Sequence, residues 1–162
     1  MALPHLDKSS VVAALRAGLE DELLSVESMA AMARDEATNA ETKAEGKYDT
    51  RATEASYLAR GQAWRIAELR KLCAWLGTDR ATASLNETTV QTGALVRVHG
   101  ARTEWVYIAP IGGGKAKVGD QIIRLISLAS PLGSAMEGLE EEDAFQVQTP
   151  SGTKEYEITA IR

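Results

Sequence analysis

Apolar residues recur at three- and four-residue steps through Val12, Leu15, Leu19, Leu23, Val26, Met29 and Ala33. That period predicts one long helix, capped by Ser9 or Ser10 and running to about Asn39. Leu58, Ile66, Leu69, Leu72 and Leu76 keep a similar spacing, with Ala55 and Gly61 as small contacts, and predict a second helix. Neither narrow stripe can be buried alone. The expected solution is an antiparallel coiled-coil hairpin in which each stripe covers the other. Some 30 residues per helix give a rod of roughly 45 Å. The turn is expected between Glu41 and Thr50, where Gly46 is the one breaker and Asp49 or Thr50 is suited to cap the second helix. The stripe fades before that point, and Asn39, Glu41, Lys43, Glu45, Lys47, Asp49 and Arg51 take over. Such a tip is either a solvated hairpin end or a surface inserted into something polar.

After residue 90 the period changes to two. Ala94–Val98, Thr103–Ile108, Gln121–Leu128, Ala144–Thr149 and Lys154–Ile161 read as strands, the last two joined by a Pro150-Ser151-Gly152-Thr153 hairpin loop. Pro131 to Gly138, with Pro at its start and Gly at its end, reads as one short helix. The class is therefore α+β: a helical hairpin over residues 1–78, a linker over 79–90 and a β-rich domain over 91–162. Composition supports the division. Residues 1–80 hold four of the 13 glycines and one of the four prolines. Gly77-Thr78-Asp79-Arg80-Ala81-Thr82-Ala83-Ser84 is small and polar, as a linker should be.

Charge narrows the function. The 162 residues carry 18 Lys+Arg against 23 Asp+Glu, a net −5. The balance is 11 against 13 in residues 1–80 and 7 against 10 in 81–162, so neither half is a charged tail. A chain held to nucleic acid by phosphate neutralisation should be basic, so direct binding of that kind is not expected. Cys73 stands alone, which excludes an internal disulfide framework and fits a reducing cytoplasm. No apolar run reaches the roughly 20 residues of a membrane span, and the N-terminus lacks the pattern of a signal peptide.

Several chemical signals fail on inspection. Gly112-Gly113-Gly114-Lys115-Ala116 lacks the Ser or Thr and the spacing of a phosphate loop, and reads as a turn. Asn86-Glu87-Thr88 is a glycosylation sequon without a secretion signal. His5 and His99 are far apart and have no third zinc ligand nearby. Trp64 and Trp75 read as packing the hairpin or the domain junction.

The string Ser130-Pro131-Leu132-Gly133-Ser134-Ala135-Met136-Glu137-Gly138, followed by Phe145-Gln146-Val147-Gln148-Thr149-Pro150-Ser151-Gly152-Thr153-Lys154-Glu155-Tyr156-Glu157-Ile158, closely resembles the end of the Gre-type transcription elongation factors. Arg65-Ile66-Ala67-Glu68-Leu69 is similar to a short string in their second helix. The resemblance implies a coiled-coil hairpin followed by an FKBP-like antiparallel β domain with one short helix. It also implies a factor that is not itself an enzyme and whose partner is bacterial RNA polymerase, with RNA and DNA met only through the polymerase. The β domain would dock on the rim of the secondary channel, with Ser130, Pro131 and Leu132 in the docking turn, and the hairpin would pass down the channel. Acids at its tip would help hold Mg²⁺ in the polymerase active centre, and no cofactor would be bound by the chain alone. Hard oxygen ligands suit that metal. A monomer is expected, because the hairpin buries its own stripe.

The tip departs from the family pattern. Counting back from Arg65, Glu45 falls on the family's aspartate and Tyr48 on its glutamate, with Asp49 one residue later. Lys47-Tyr48-Asp49-Thr50 resembles a divergent branch of Gre-like proteins. Glu45 and Asp49 are the candidate metal-directed pair, with Asp49 equally suited to act as an N-cap. Glu41 is a third acid, also readable as solvated helix surface. Lys43, Lys47, Tyr48 and Arg51 crowd the same tip, and the cations either steer toward phosphates or pair with the glutamates. Glu137, Glu140, Glu141, Glu142 and Asp143 form an acidic patch, read either as a solvated loop or as a surface for basic polymerase residues. Three functions remain in view: a cleavage-stimulating factor, a channel-binding regulator without cleavage, and a prolyl isomerase or chaperone. The last would need an aromatic-lined pocket, and a chain with one Phe is poorly supplied for it.

Overall fold

The computed structural model describes residues 6–41, 50–84 and 88–162. His5, the tip residues Lys43, Glu45, Gly46, Lys47, Tyr48 and Asp49, and Asn86 and Glu87 lie outside the described residues.

Helices α1 (Lys8–Glu41) and α2 (Thr50–Leu76) hold 34 and 27 residues, or about 50 and 40 Å. The cap of α1 is Asp7, not Ser9 or Ser10. The Asp7 carboxylate accepts the Ser10 amide at 3.0 Å and the Ser10 hydroxyl at 2.9 Å, filling an orphan donor of the first turn. Within residues 79–90, Asp79–Thr82 form a single helical turn, α3, with Ala81 fully buried.

Among the described residues six strands follow α3: β1 (Leu95–His99), β2 (Thr103–Ile108), β3 (Lys115–Val118), β4 (Gln121–Ile126), β5 (Ala144–Thr149) and β6 (Gly152–Ile161). They form one sheet in the order β3-β4-β2-β1-β6-β5. Four pairings are antiparallel, as expected, but β2 and β4 run parallel, Trp105 opposite Ile123 and Ile108 opposite Ile126. The cause is β3, a strand the sequence reading lacked. The chain leaves β2, forms β3 at the sheet edge and turns back at Gly119 and Asp120, so β4 returns alongside β2 in the same direction. Lys115 and Lys117 are exposed on that edge, where charge discourages pairing with other chains.

The sheet is covered on both faces. On one, Val11, Val12, Leu15 and Leu19 of α1 and Leu69, Leu72, Cys73 and Leu76 of α2 share a core with Trp105, Tyr107, Ile123 and Leu125. The hairpin stripes therefore do not simply cover each other; at their base they are buried by the sheet. Beyond the base the pattern fails. No described residue of α1 after Leu19, and none of α2 before Leu69, is buried, and Met29 and Leu58 of the expected seam are 51% and 68% exposed. Leu23 and Val26 still pack partly against the base core and Arg65 lies beside Gly113, and beyond them an arm of about 20 Å stands clear of the β domain.

On the other face, Val96, Val98, Val106, Ile108, Phe145, Val147 and Ile158 pack with Met136 of α4 (Pro131–Met136). Gly133 brings α4 down onto the end of β4. A Cβ there would meet the Ser127 carbonyl oxygen at 2.0 Å and the Leu128 Cα at 2.9 Å.

Tyr107 is the largest fully buried side chain. Its ring lies 5.9 Å from that of Trp75, and its hydroxyl donates to the Ala81 carbonyl at 2.8 Å, tying α2 and α3 to the sheet. Burial raises its pKa far above the ordinary value of 10. The folded chain therefore keeps a proton that the unfolded chain loses near pH 10. This contribution to stability is complete below pH 10 and declines as pH climbs above it. Tyr107→Phe is expected to cost about 1 kcal/mol at neutral pH and to lose less stability than wild type above pH 10, by urea titration at both pH values. Gly133→Ala is expected to cost about 3 kcal/mol or more, because the backbone must move. A fall in Tm of only a degree or two would refute that packing.

Candidate functional site

Three parts of the molecule carry the residues singled out by sequence: the arm, its tip and the α4 turn. The register of the arm is set by cross-helix ion pairs. Arg65 donates to Glu22 through Nε at 3.0 Å and Nη2 at 2.7 Å, and Arg70 donates to Glu27 through Nε at 3.1 Å. All four side chains are partly exposed, so each pair contributes modestly and acts mainly on alignment. Arg65 also lies against the glycine run: a Cβ at Gly113 would sit 3.4 Å from its Nη1. This explains Arg65-Ile66-Ala67-Glu68-Leu69 physically. Arg65 bridges the helices, Glu68 flanks it at 3.8 Å, and Leu69 enters the core.

At the far end, Glu41 closes α1 and Arg51 lies in the first turn of α2. The helices thus bring the two flanks of the tip to one end of the arm. Glu45, Lys47, Tyr48 and Asp49 fall between them, outside the described residues.

The α4 turn is built by Ser130. Its backbone is extended, its hydroxyl oxygen accepts the Gly133 amide at 3.0 Å, and its hydroxyl donates to the Ser127 carbonyl at 2.7 Å. Pro131 follows at the first helical position, where its missing N–H costs nothing. Pro131 is exposed, and Leu132 is half-buried against the second core. The helix stops before Gly138, whose φ of 75° suits glycine. The arm is seated on the first core and this turn on the second, so the two lie on opposite faces of the sheet.

The acidic patch is partly structural. Glu141 accepts the Ile161 amide at 2.7 Å and pairs with Arg162 at 3.1 Å, and Asp143 accepts the Glu140 amide at 2.8 Å. Glu142 takes a left-handed φ of 75° and donates its amide to the Ile158 carbonyl. Trp75 packs at the domain junction, as expected, but Trp64 joins neither core and is 70% exposed. That exposure was missed because a tryptophan beside an apolar stripe reads as core. Cys73 is buried, and desolvation raises its pKa, which makes it a poor nucleophile. One concavity, about 690 Å³, lies at the hairpin base beside Lys8, Thr82 and Arg162. Lys8 donates to the Ala83 carbonyl at 2.7 Å there, and burial lowers its pKa.

Residues 86–162 match the family described as transcription elongation factor, GreA/GreB, C-terminal. Transcription elongation factor GreA of Rhodospirillum rubrum is 35% identical over 102 residues, which span 60% of this chain and 60% of that relative's own length. Among solved structures, Thermus aquaticus Gfh1 is 18% identical, with 93% of this chain and 95% of that chain covered at a TM-score of 0.39. A GreA/GreB factor of Nitrosomonas europaea is 21% identical, with 48% and 64% covered at a TM-score of 0.35. The match to the GreA/GreB family thus lies in the C-terminal domain, over residues 86–162.

Proposed function

We propose that the chain is an accessory factor of bacterial RNA polymerase: its β domain docks at the rim of the secondary channel and its arm enters that channel. The observation that carries this reading is the arm itself. Two helices run about 30 Å past the last buried residue, next to a C-terminal domain of the GreA/GreB family. A stable fold gains little from such a length of solvated helix; a device that must reach into a partner requires it. Ser130, Pro131 and Leu132 would meet the rim, with Leu132 held by the second core and Pro131 free to touch the partner.

At the tip, Glu45 and Asp49 would supply carboxylate oxygens to a Mg²⁺ ion held mainly by the polymerase. Glu41, Lys47, Tyr48 and Arg51 would form the surroundings. The metal would lower the barrier to hydrolysis of backtracked RNA, a reaction in which hard oxygen donors stabilise the ion. The chain would bring no nucleophile, so the catalysis would remain the polymerase's.

A second reading, channel binding without cleavage, is favoured by one observation: Tyr48 stands where the family pattern has a glutamate. A phenol is a poor Mg²⁺ ligand at neutral pH.

The test uses polymerase stalled and backtracked on a labelled transcript, with Mg²⁺. Wild type is expected to speed RNA shortening, and the Glu45→Ala, Asp49→Ala variant to lose about tenfold or more of that effect while still competing with a channel-binding factor. Competition without shortening by wild type would select the second reading. Neither shortening nor competition would end both.

A further inference from the structure

The arm leaves the sheet at its β3 edge. A Cβ at Gly18 would lie 3.8 Å from the Lys115 carbonyl oxygen, one at Gly114 2.9 Å from Leu19 Cδ2, and one at Gly113 3.4 Å from Arg65 Nη1. β3 is the outermost strand on that side. Whatever takes in the arm therefore has its mouth against this edge. The α4 turn follows β4, the neighbour of β3, and lies on the opposite face. A partner that holds the arm and touches the α4 turn has to pass around the β3–β4 pair.

Alternation along the two strands settles which side chains such a partner meets. Ala116, Val118, Ile123 and Leu125 face the first core. Lys115, Lys117, Ile122 and Arg124 therefore point to the other face, and all four are exposed. Arg102 and Lys154 line a concavity with Arg124 and extend the patch toward β6. These cations are five of the seven Lys and Arg in residues 81–162. Five of the ten acids, Glu137 and 140–143, crowd the loop after α4 instead. Protection of an open edge accounts for Lys115 and Lys117 alone, since Arg124 lies on an inner strand. Folding does not ask for this charge either. Lys115 stands directly opposite Arg124, a like-charge pairing that destabilises a sheet. Glu104, which accepts from Arg124 Nη2 at 2.9 Å, relieves one of the two. Opposite Lys117 stands Ile122, 57% exposed amid the cations.

We propose that this patch docks an acidic segment of the protein that takes in the arm, with Ile122 as the apolar contact at its centre. The inference rests on the channel reading, under which the segment belongs to the polymerase surface beside the channel mouth. Charge complementarity commits the patch to an acidic partner, and Ile122 commits it to a protein. A phosphate backbone gains nothing from an exposed aliphatic side chain. Glu104 and Glu155, which line the same concavity as Arg124, also interrupt the positive field along which a nucleic acid would run. Exposed charges of this kind act mainly on association rate and partner choice, and their effect fades with salt.

Titration of the fluorescently labelled chain with bacterial RNA polymerase, at about 0.05 M and about 0.3 M salt, tests it. Lys115→Glu, Lys117→Glu is expected to raise Kd about tenfold or more at the lower salt and by less at the higher. Its Tm should hold, since an acid opposite Arg124 removes the like-charge pair. Ile122→Ser is expected to raise Kd about threefold or more at both salts. Lys71→Glu, Arg80→Glu makes the same change of charge at exposed positions of α2 and α3 and is expected to stay within about threefold of wild type. Wild-type binding that Lys115→Glu, Lys117→Glu leaves intact overturns the proposal and lets the channel reading stand. Equal losses in the two double variants overturn it too, because net charge then explains the effect. Absence of wild-type binding at both salts ends the channel reading and the proposal with it. Retention of a DNA duplex by wild type, lost in Lys115→Glu, Lys117→Glu, also overturns it and gives the patch to phosphates.

Discussion

The architecture depends on one contact, the seating of the hairpin base on the sheet. Leu15, Leu19, Leu69, Leu72 and Leu76 have no other place to be dry, and Tyr107, Ile123 and Leu125 need a cover for that face. Two helices joined only to each other are marginal in water, because each stripe is too narrow and nucleation is costly. The sheet supplies the missing hydrophobic partner. It also fixes direction: once the first three turns of α1 are pinned, the rest of a continuous helix must follow the same axis. The Arg65–Glu22 and Arg70–Glu27 bridges then set the alignment of α2 along α1.

The glycine run acquires its meaning from that contact. Gly113 and Gly114 adopt φ of 111° and 120°, and a Cβ at Gly114 would lie 2.9 Å from Leu19 Cδ2. Glycine is required there twice over, for the backbone conformation and for the approach of the helix. The run is therefore the socket of the hairpin and the lead-in to β3. Neither role can be inferred from the motif alone, because a socket is defined by what sits in it.

This marks the boundary of what the residues disclosed. The two helices, five of the six strands and the Pro131 turn were legible because each rests on local periodicity or local punctuation, Pro at a start and Gly at an end. The strand missed, Lys115–Val118, is four residues long and follows glycines, so its pairing with β4 is decided by tertiary position. The same limit applied to the stripes. Period three-and-four says which side of a helix is apolar, but not whether a partner helix, a sheet or nothing covers it. Leu15 and Met29 belong to one pattern; the first is 1% exposed and the second 51%. The α4 turn was legible as a string, and its Ser130 cap follows from that string. Gly133 was not, since its necessity comes from the Ser127 carbonyl on another element.

The division between a buried base and an exposed arm also bears on how the tip can vary. Substitutions at positions without buried contacts change stability by only about half a kcal/mol. The described arm has no buried residue past Leu19, so the chemistry at its end is nearly uncoupled from folding. A tip with Tyr48 in place of an acid therefore requires no compensating change in the core. By contrast, Ser130 and Gly133 lie on the second core, where a change in shape is felt by Leu128, Leu132 and Met136. The geometry leaves the arm's end free to diverge without loss of stability, while the α4 turn is held by packing.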